Sequence, residues 1–120
     1  MIEMSNQYIL GDLGDLAVKG FFRFRVSSVT RTAEELSVVC AEDVVPARVT
    51  CERGWRCLRI RGPLAFSEIG VLSCLALPLG RAGISIFVVS TYATDNILVK
   101  EELLGAAQAV LAAEGHTIES

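Results

Sequence analysis

The chain has 120 residues, 52% of them apolar, and a net charge of −3 from 14 acids and 11 bases; its mean hydropathy is +0.47. That length suits one ordinary domain or two very small ones, and that apolar share is enough for a packed core, which excludes a disordered chain. No overall basic field is present to attract nucleic acid or an anionic membrane, so neither is expected as a partner.

The N-terminus "MIEMSNQYIL" lacks a basic segment followed by an apolar one, so no secretory signal is expected and the chain reads as cytoplasmic. The first half is irregular. "GFFRFRV" and "EDVVPARV" are too short and too β-branched for full-length helices. "SVTRTAEELSVVCAED" (Ser28 to Asp43) reads as a strand, a polar turn with acids, and a β-rich strand leading into an acidic pair. Five of the nine arginines then fall between Arg48 and Arg61, which reads as a solvated sheet face.

The second half is regular. "WRCLRIRG" (Trp55 to Gly62) predicts a strand with Leu58 and Ile60 on one face and Cys57, Arg59 and Arg61 on the other, broken by "GPL". From Phe66 to Arg81, Ile69, Leu72, Ala76 and Leu79 recur at helical spacing, with Ser67 as N-cap and Glu68 in the first turn. Pro78 should kink or tighten the end of that helix, and Gly83 should end it. "ISIFVVST" and "NILVK" predict a hairpin of two strongly apolar strands. "EELLGAAQAVLAAEG" predicts a second helix with a stripe of Leu103, Ala107, Val110 and Leu111 and Gly115 just past its end, and "HTIE" a short closing strand. The order β-α-β-β-α-β is the ferredoxin-like α+β arrangement, an antiparallel sheet with both helices on one face.

Between Ile69 and Thr94 only Arg81 is charged, but Pro78, Gly80 and Gly83 punctuate the stretch and no membrane span is expected. Cys40, Cys51, Cys57 and Cys74 form no C-x-x-C pair, and the single histidine, His116, lies far from them. They read as reduced cysteines, with no metal and no cofactor. One histidine gives no credible Ser/His/Asp set, and no G-x-G-x-x-G or P-loop is present, so catalysis is not expected.

"SVTRTAEELSVVCAED" echoes "VSTYATDNILVKEE". Aligned on Thr30 and Thr91 the offset is 61, with Glu34 facing Asp95 and Val38 facing Val99, and one slip is needed before the acidic pair. This reads as an internal duplication, with a reduced unit over residues 1–54 and a full one over 55–120. If Ile86, Val88, Ile97 and Val99 face the helices, then Phe87, Val89 and Leu98 face away. A bare second face would expose a large apolar patch, so the first copy, a second subunit or both must cover it, and a homodimer is expected.

The stretch "GPLAFSEIGVLSCLALPLGRAGISIFVVSTYATDNILVKEE" resembles the tandem ACT-like proteins of bacteria, with their G-x-L-x-F motif and "GIxxFxxSTYxTDxxLVKEE"-type hairpin. The same hairpin pattern occurs in the eukaryotic cytosolic arginine sensors. The resemblance is strong from Trp55 to His116 and fainter through "SVTRTAEELSVVCAED". It implies a tandem ACT fold, no catalysis, and a small molecule, an amino acid above all, held at an interface between ACT units. Carried over by motif, the ligand-binding positions are Phe66, Ser67, Glu68, Ile69 and Gly70 in the loop entering the first helix. In the hairpin they are Ser90, Thr91, Tyr92, Thr94 and Asp95. Asn96 departs from the pattern, since many bacterial relatives carry an aromatic residue there, and the resemblance therefore does not assign the ligand.

The chemistry of those positions suits such a guest. N–H groups at a helix start take a carboxylate, Gly70 permits close approach, and Asp95 takes an ammonium or cationic group. Ser90, Thr91 and Thr94 add neutral donors and acceptors, and Tyr92 a flat wall with a polar tip. Each position also has a plainer reading: Asp95 with Asn96 as turn chemistry, Glu68 as a helix-dipole acid, Thr91 and Tyr92 as strand formers, Gly70 as a helix-packing glycine. The alternative function is thus a structural or protein–protein interaction module that has lost its ligand. An effector protein would have to read the bound state, and the sequence does not name it.

Overall fold

In the computed structural model, residues 2–12, 28–48, 50–60, 70–92 and 94–119 are described. Among the described residues, seven strands and two helices follow in chain order: β1 (Ile2–Asp12), β2 (Ser28–Arg31), β3 (Leu36–Ala41), β4 (Glu52–Ile60), α1 (Val71–Arg81), β5 (Phe87–Ser90), β6 (Asp95–Lys100), α2 (Leu104–Ala113) and β7 (Ile118–Glu119). The chain divides into two compact units, one of Met1–Ser5 with Arg56–Ser120 and one of Asn6–Trp55.

The larger unit is β4-α1-β5-β6-α2-β7, the predicted βαββαβ order. One face of its strands alternates apolar residues that meet the helices. Leu58 and Ile60 of β4 and Ile97 and Val99 of β6 cluster with Leu75 and Leu79 of α1 and Leu104, Ala107 and Leu111 of α2; Ile86, Val88, Leu103 and Val110 pack around them. The side-chain period of two in the strands and the helical spacings in α1 and α2 bring these residues into one layer.

Both helices end in the same way. Gly83 and Gly115 take φ of 75° and 91°. After α1, Ile84 N–H donates to Leu79 O at 2.9 Å and Gly83 N–H to Gly80 O at 3.0 Å; after α2, His116 N–H donates to Leu111 O at 3.1 Å and Gly115 N–H to Ala112 O at 3.0 Å. These are Schellman ends, which satisfy carbonyls left over at a helix terminus. They explain why β5 is shorter than "ISIFVVST" suggests: buried Ile84 serves the helix end, and pairing starts at Phe87. Pro78 sits inside α1, and the last turn tightens through the bond from Gly83 to Gly80.

The start of α1 corrects the sequence expectation. The helix begins at Val71, and Gly70, at φ 78°, is its N-cap. A left-handed residue interrupts the helical dihedrals, so Ser67 does not cap this helix and Gly70 is not inside it. Phe66, Ser67, Glu68 and Ile69 lie outside the described residues. Among the described residues no atom comes within 4 Å of a Cβ built on Gly70, and its backbone angle calls for glycine.

The far face of the larger unit is not bare. Cys57, Asn96 and Leu98, which alternate with the helix-facing residues, are 0%, 2% and 1% exposed in the single chain. Phe87 and Val89 of β5, on that side, are half-exposed. Among the arginines of the basic stretch, Arg59 is exposed and Arg53 and Arg56 are half-buried. The closing strand β7 pairs in parallel with the start of β1, with Ile2 opposite Ile118 and Glu3 opposite Glu119.

The smaller unit holds a second hairpin. β2 pairs antiparallel with β3 (Ser28 opposite Val39, Arg31 opposite Leu36), and β3 pairs antiparallel with β1 (Tyr8 opposite Ala41, Asp12 opposite Ser37). Leu36, Val38, Val39 and Cys40 are buried. Its bounds repeat those of the β5–β6 hairpin at a constant offset of 59: Ser28–Arg31 matches Phe87–Ser90, Leu36–Ala41 matches Asp95–Lys100, and the 3-10 turn Glu42–Val44 matches Glu101–Leu103. The offset of 61 is therefore two residues too long. Thr32, not Thr30, is the counterpart of Thr91, and no slip precedes the acidic pair.

Candidate functional site

The described residues of the hairpin tip between β5 and β6 are Thr91, Tyr92 and Thr94. Thr91 N–H donates to Thr94 O at 2.8 Å. Its hydroxyl donates to the same carbonyl at 3.1 Å and accepts from Thr94 N–H at 3.3 Å. At the mouth of the turn, Ser90 and Asp95 stand opposite each other, and Ser90 Oγ donates to Asp95 Oδ1 at 2.6 Å. This short, charge-assisted bond fixes the carboxylate at the tip, and among the described residues no hydrogen bond reaches Oδ2. Tyr92 is 86% exposed.

Thr94 adds a link to the sheet. Its hydroxyl donates to Ile60 O, the last residue of β4, at 2.7 Å. Turn and strand end are thus side by side within the larger unit. The structure brings Ser90, Thr91, Thr94 and Asp95 together, with Tyr92 projecting; it leaves Gly70 exposed at the start of α1.

Beneath the tip is a polar pair that sequence reasoning missed. Asn96 is 2% exposed; its Nδ2 donates to Val89 O, directly opposite, at 3.1 Å, and its Oδ1 accepts from Cys57 Sγ at 3.8 Å. A lone amide in an apolar strand was the available signal, since a buried amide must find partners. At the far end of β6, Arg56 and Glu101 form an ion pair at 3.8 Å, with side chains 24% and 49% exposed.

Other features do not assemble chemistry. Among the described residues no group of His, Cys, Asp and Glu could hold a metal ion. Burial, with Cys51 and Asp43 nearby, pushes the Cys40 thiol up to about 11, which keeps it protonated and a poor nucleophile. A shallow hollow of about 230 Å³ is lined by Ser73, Cys74, Leu77, Pro78, Arg81, Glu114 and His116, none of them a predicted site residue. No helix among the described residues is long and apolar enough to cross a membrane.

A βαββαβ unit with a polar, acid-bearing hairpin tip is a small ferredoxin-like α+β domain. A family model described as the ACT domain matches residues 50–113, more than half of the chain, and the chain belongs to the ACT-domain family. A second family model, described as an N-terminal domain, matches residues 19–48. The chain is 43% identical over 58 residues to the cytosolic arginine sensor for mTORC1 subunit 1 of Homo sapiens, and equally to that of Bos taurus; the match covers 48% of this chain and 18% of the sensor. It is also similar to a crystallised protein from Agobacterium tumefaciens, with 33% identity, a TM-score of 0.84, and coverage of 98% of this chain and 92% of that one. Aspartokinase alpha and beta subunits share the fold at 16% identity, a TM-score of 0.65, and coverage of 95% and 96%.

Proposed function

We infer that the chain is a non-catalytic regulatory protein that binds a small molecule, an amino acid, at an interface between ACT units, and that it works as a homodimer in the cytoplasm. Ser90, Thr91, Tyr92, Thr94 and Asp95 form the hairpin side of the site, and Phe66, Ser67, Glu68, Ile69 and Gly70 the loop leading into α1. The N-terminal part is a reduced ACT copy, supported by the hairpin that recurs at an offset of 59. The observation that carries the reading is the carboxylate of Asp95, held at 2.6 Å by Ser90 at the mouth of an otherwise neutral turn. A fixed acid suits the ammonium or guanidinium of a guest. Similarity to an arginine sensor across 58 residues supports the same class of ligand.

Thermal-shift screening against the twenty amino acids tests this. A ligand at a hundred times its Kd adds about 2.7 kcal/mol of stability. Asp95→Ala should remove the shift with the fold intact by circular dichroism; an unchanged shift rejects Asp95 as a contact. A second reading has its own support. The hydroxyls of Thr91 and Thr94 are used within the fold, as an interaction module without a ligand would use them. A flat screen with a well-folded protein favours that module, and a pull-down with and without an active amino acid identifies the effector.

A further inference from the structure

Cys74, Leu77, Pro78 and Arg81 fall on one side of α1, since residues three and four apart on a helix are neighbours. They form one wall of the hollow in the larger unit, and the segment that follows α2 completes it with Glu114 and His116. Leu77 is 54% exposed, one of two large apolar side chains left so open among the described residues. With Pro78 beside it, the wall has an apolar ledge.

Pro78 also changes the backbone there. It has no N–H, so the carbonyl of Cys74, four residues earlier, lacks the partner that the helical ladder would supply. Cys74 and Pro78 both line the hollow, which puts this acceptor in its wall.

The hollow holds no metal-binding group, but it holds two opposite charges. Arg81 and Glu114 are exposed and line it together. Among the described residues neither side chain forms an ion pair or a hydrogen bond, so their charged ends stay more than 4 Å apart. Charges in contact would satisfy each other. Held apart beside a free carbonyl and an apolar ledge, they leave a place for a molecule with the complementary set.

We propose that this hollow is a second amino-acid site, separate from the hairpin, for a zwitterion with an aliphatic side chain. The Arg81 guanidinium donates to the guest carboxylate, and the Glu114 carboxylate and the Cys74 carbonyl accept from its ammonium. The guest side chain lies on Leu77 and Pro78. At about 230 Å³ the hollow is below the span of about 300–1,000 Å³ usual for drug-sized ligands, which limits the guest to amino-acid size. The ledge offers nothing to a charged side chain, so leucine fits and lysine does not. The site needs nothing from the hairpin, and its failure leaves the reading above to its own test.

Titration of L-leucine into the isotope-labelled full chain, followed by amide NMR, should shift the signals of Leu77, Arg81, Glu114 and His116. Those of Thr91, Thr94 and Asp95 should stay in place. Two analogues each lack one charge: 4-methylpentanoate has no ammonium, and 3-methylbutylamine has no carboxylate. Each should bind about tenfold or more weakly than leucine, because hydrogen bonds between charged groups are the strong ones. Arg81→Gln should weaken leucine by a similar factor and leave 3-methylbutylamine unchanged, whereas Glu114→Gln should weaken leucine and leave 4-methylpentanoate unchanged. Millimolar leucine that shifts none of the four signals overturns the proposal. So do shifts confined to the hairpin, or an analogue that binds as tightly as leucine. If a variant does not fold, which its own spectrum shows, the two analogues decide.

Discussion

Thr94→Val removes one hydroxyl and keeps the side-chain shape. In the wild type that hydroxyl donates to Ile60 O at 2.7 Å, and Ile60 is 6% exposed. The net value of such a bond is about 1 kcal/mol, and an acceptor left buried without its donor costs about 1–3 kcal/mol. The variant should therefore lose about 1–2 kcal/mol. With a urea slope of about 1–3 kcal/mol per molar, the midpoint falls by roughly 0.5–1 M at unchanged slope. Thr94→Ser keeps the donor and should stay closer to wild type. Equilibrium urea unfolding of the three proteins side by side is the assay. If the Val and Ser variants unfold at the same midpoint, the hydroxyl does not tie the turn to β4.

Gly70→Ala should cost about 1–2 kcal/mol, because φ of 78° is strained for alanine while the space around it is open. Gly70→Asn should cost less, which thermal midpoints will show; equal losses would point to a packing role instead. Stability should also fall at alkaline pH. The Cys40 thiol is raised from 9.0 to about 11 in the folded chain, so below pH 9 both states keep the proton and the contribution is complete. Between pH 9 and 11 the unfolded chain ionises first, and about 2 kcal/mol is lost by the upper limit. Urea midpoints across that range should decline less steeply for Cys40→Ala, and parallel declines would reject the assignment.

The βαββαβ unit was legible because its signals are local and agree. Period-two strands, helical spacings in "VLSCLALPLGR" and "LGAAQAVLAA", and glycines just past each helix all point to one arrangement. The start of α1 was not legible. "FSEIG" offers a cap, an acid and apolar spacing at once, and only the dihedral of Gly70 reveals that the helix begins later. β1 was missed although Ile2, Met4, Tyr8 and Leu10 alternate, since Ser5, Asn6 and Gln7 dilute the pattern with polar residues. Its pairings with β3 and β7 join residues far apart in the chain, which no local pattern encodes. Of the candidate site, the polar turn was visible as composition. Its bonds were not, because the spacing of Ser90 and Asp95 puts them opposite each other only once the register is set.

The repeated hairpins separate what folds the turn from what distinguishes it. Both turns have four residues, and both place a threonine first. Thr32 N–H donates to Glu35 O at 2.9 Å as Thr91 does to Thr94, and the Thr32 hydroxyl accepts from Glu35 N–H at 3.2 Å. Since the same bonds recur where no ligand position was assigned, those bonds of the leading threonine belong to the fold. The hydroxyl–carboxylate pair does not recur: opposite each other at the first mouth are Arg31 and Leu36, where the second has Ser90 and Asp95. Nor does the tie to β4, because Glu35 stands where Thr94 would. What the second hairpin adds to a shared scaffold is a fixed acid, an anchoring hydroxyl and an uncharged outer strand. Asp95→Ala should weaken binding and Thr94→Val should cost stability, whereas Thr32→Ala and Thr91→Ala should lower the thermal midpoint to a similar degree.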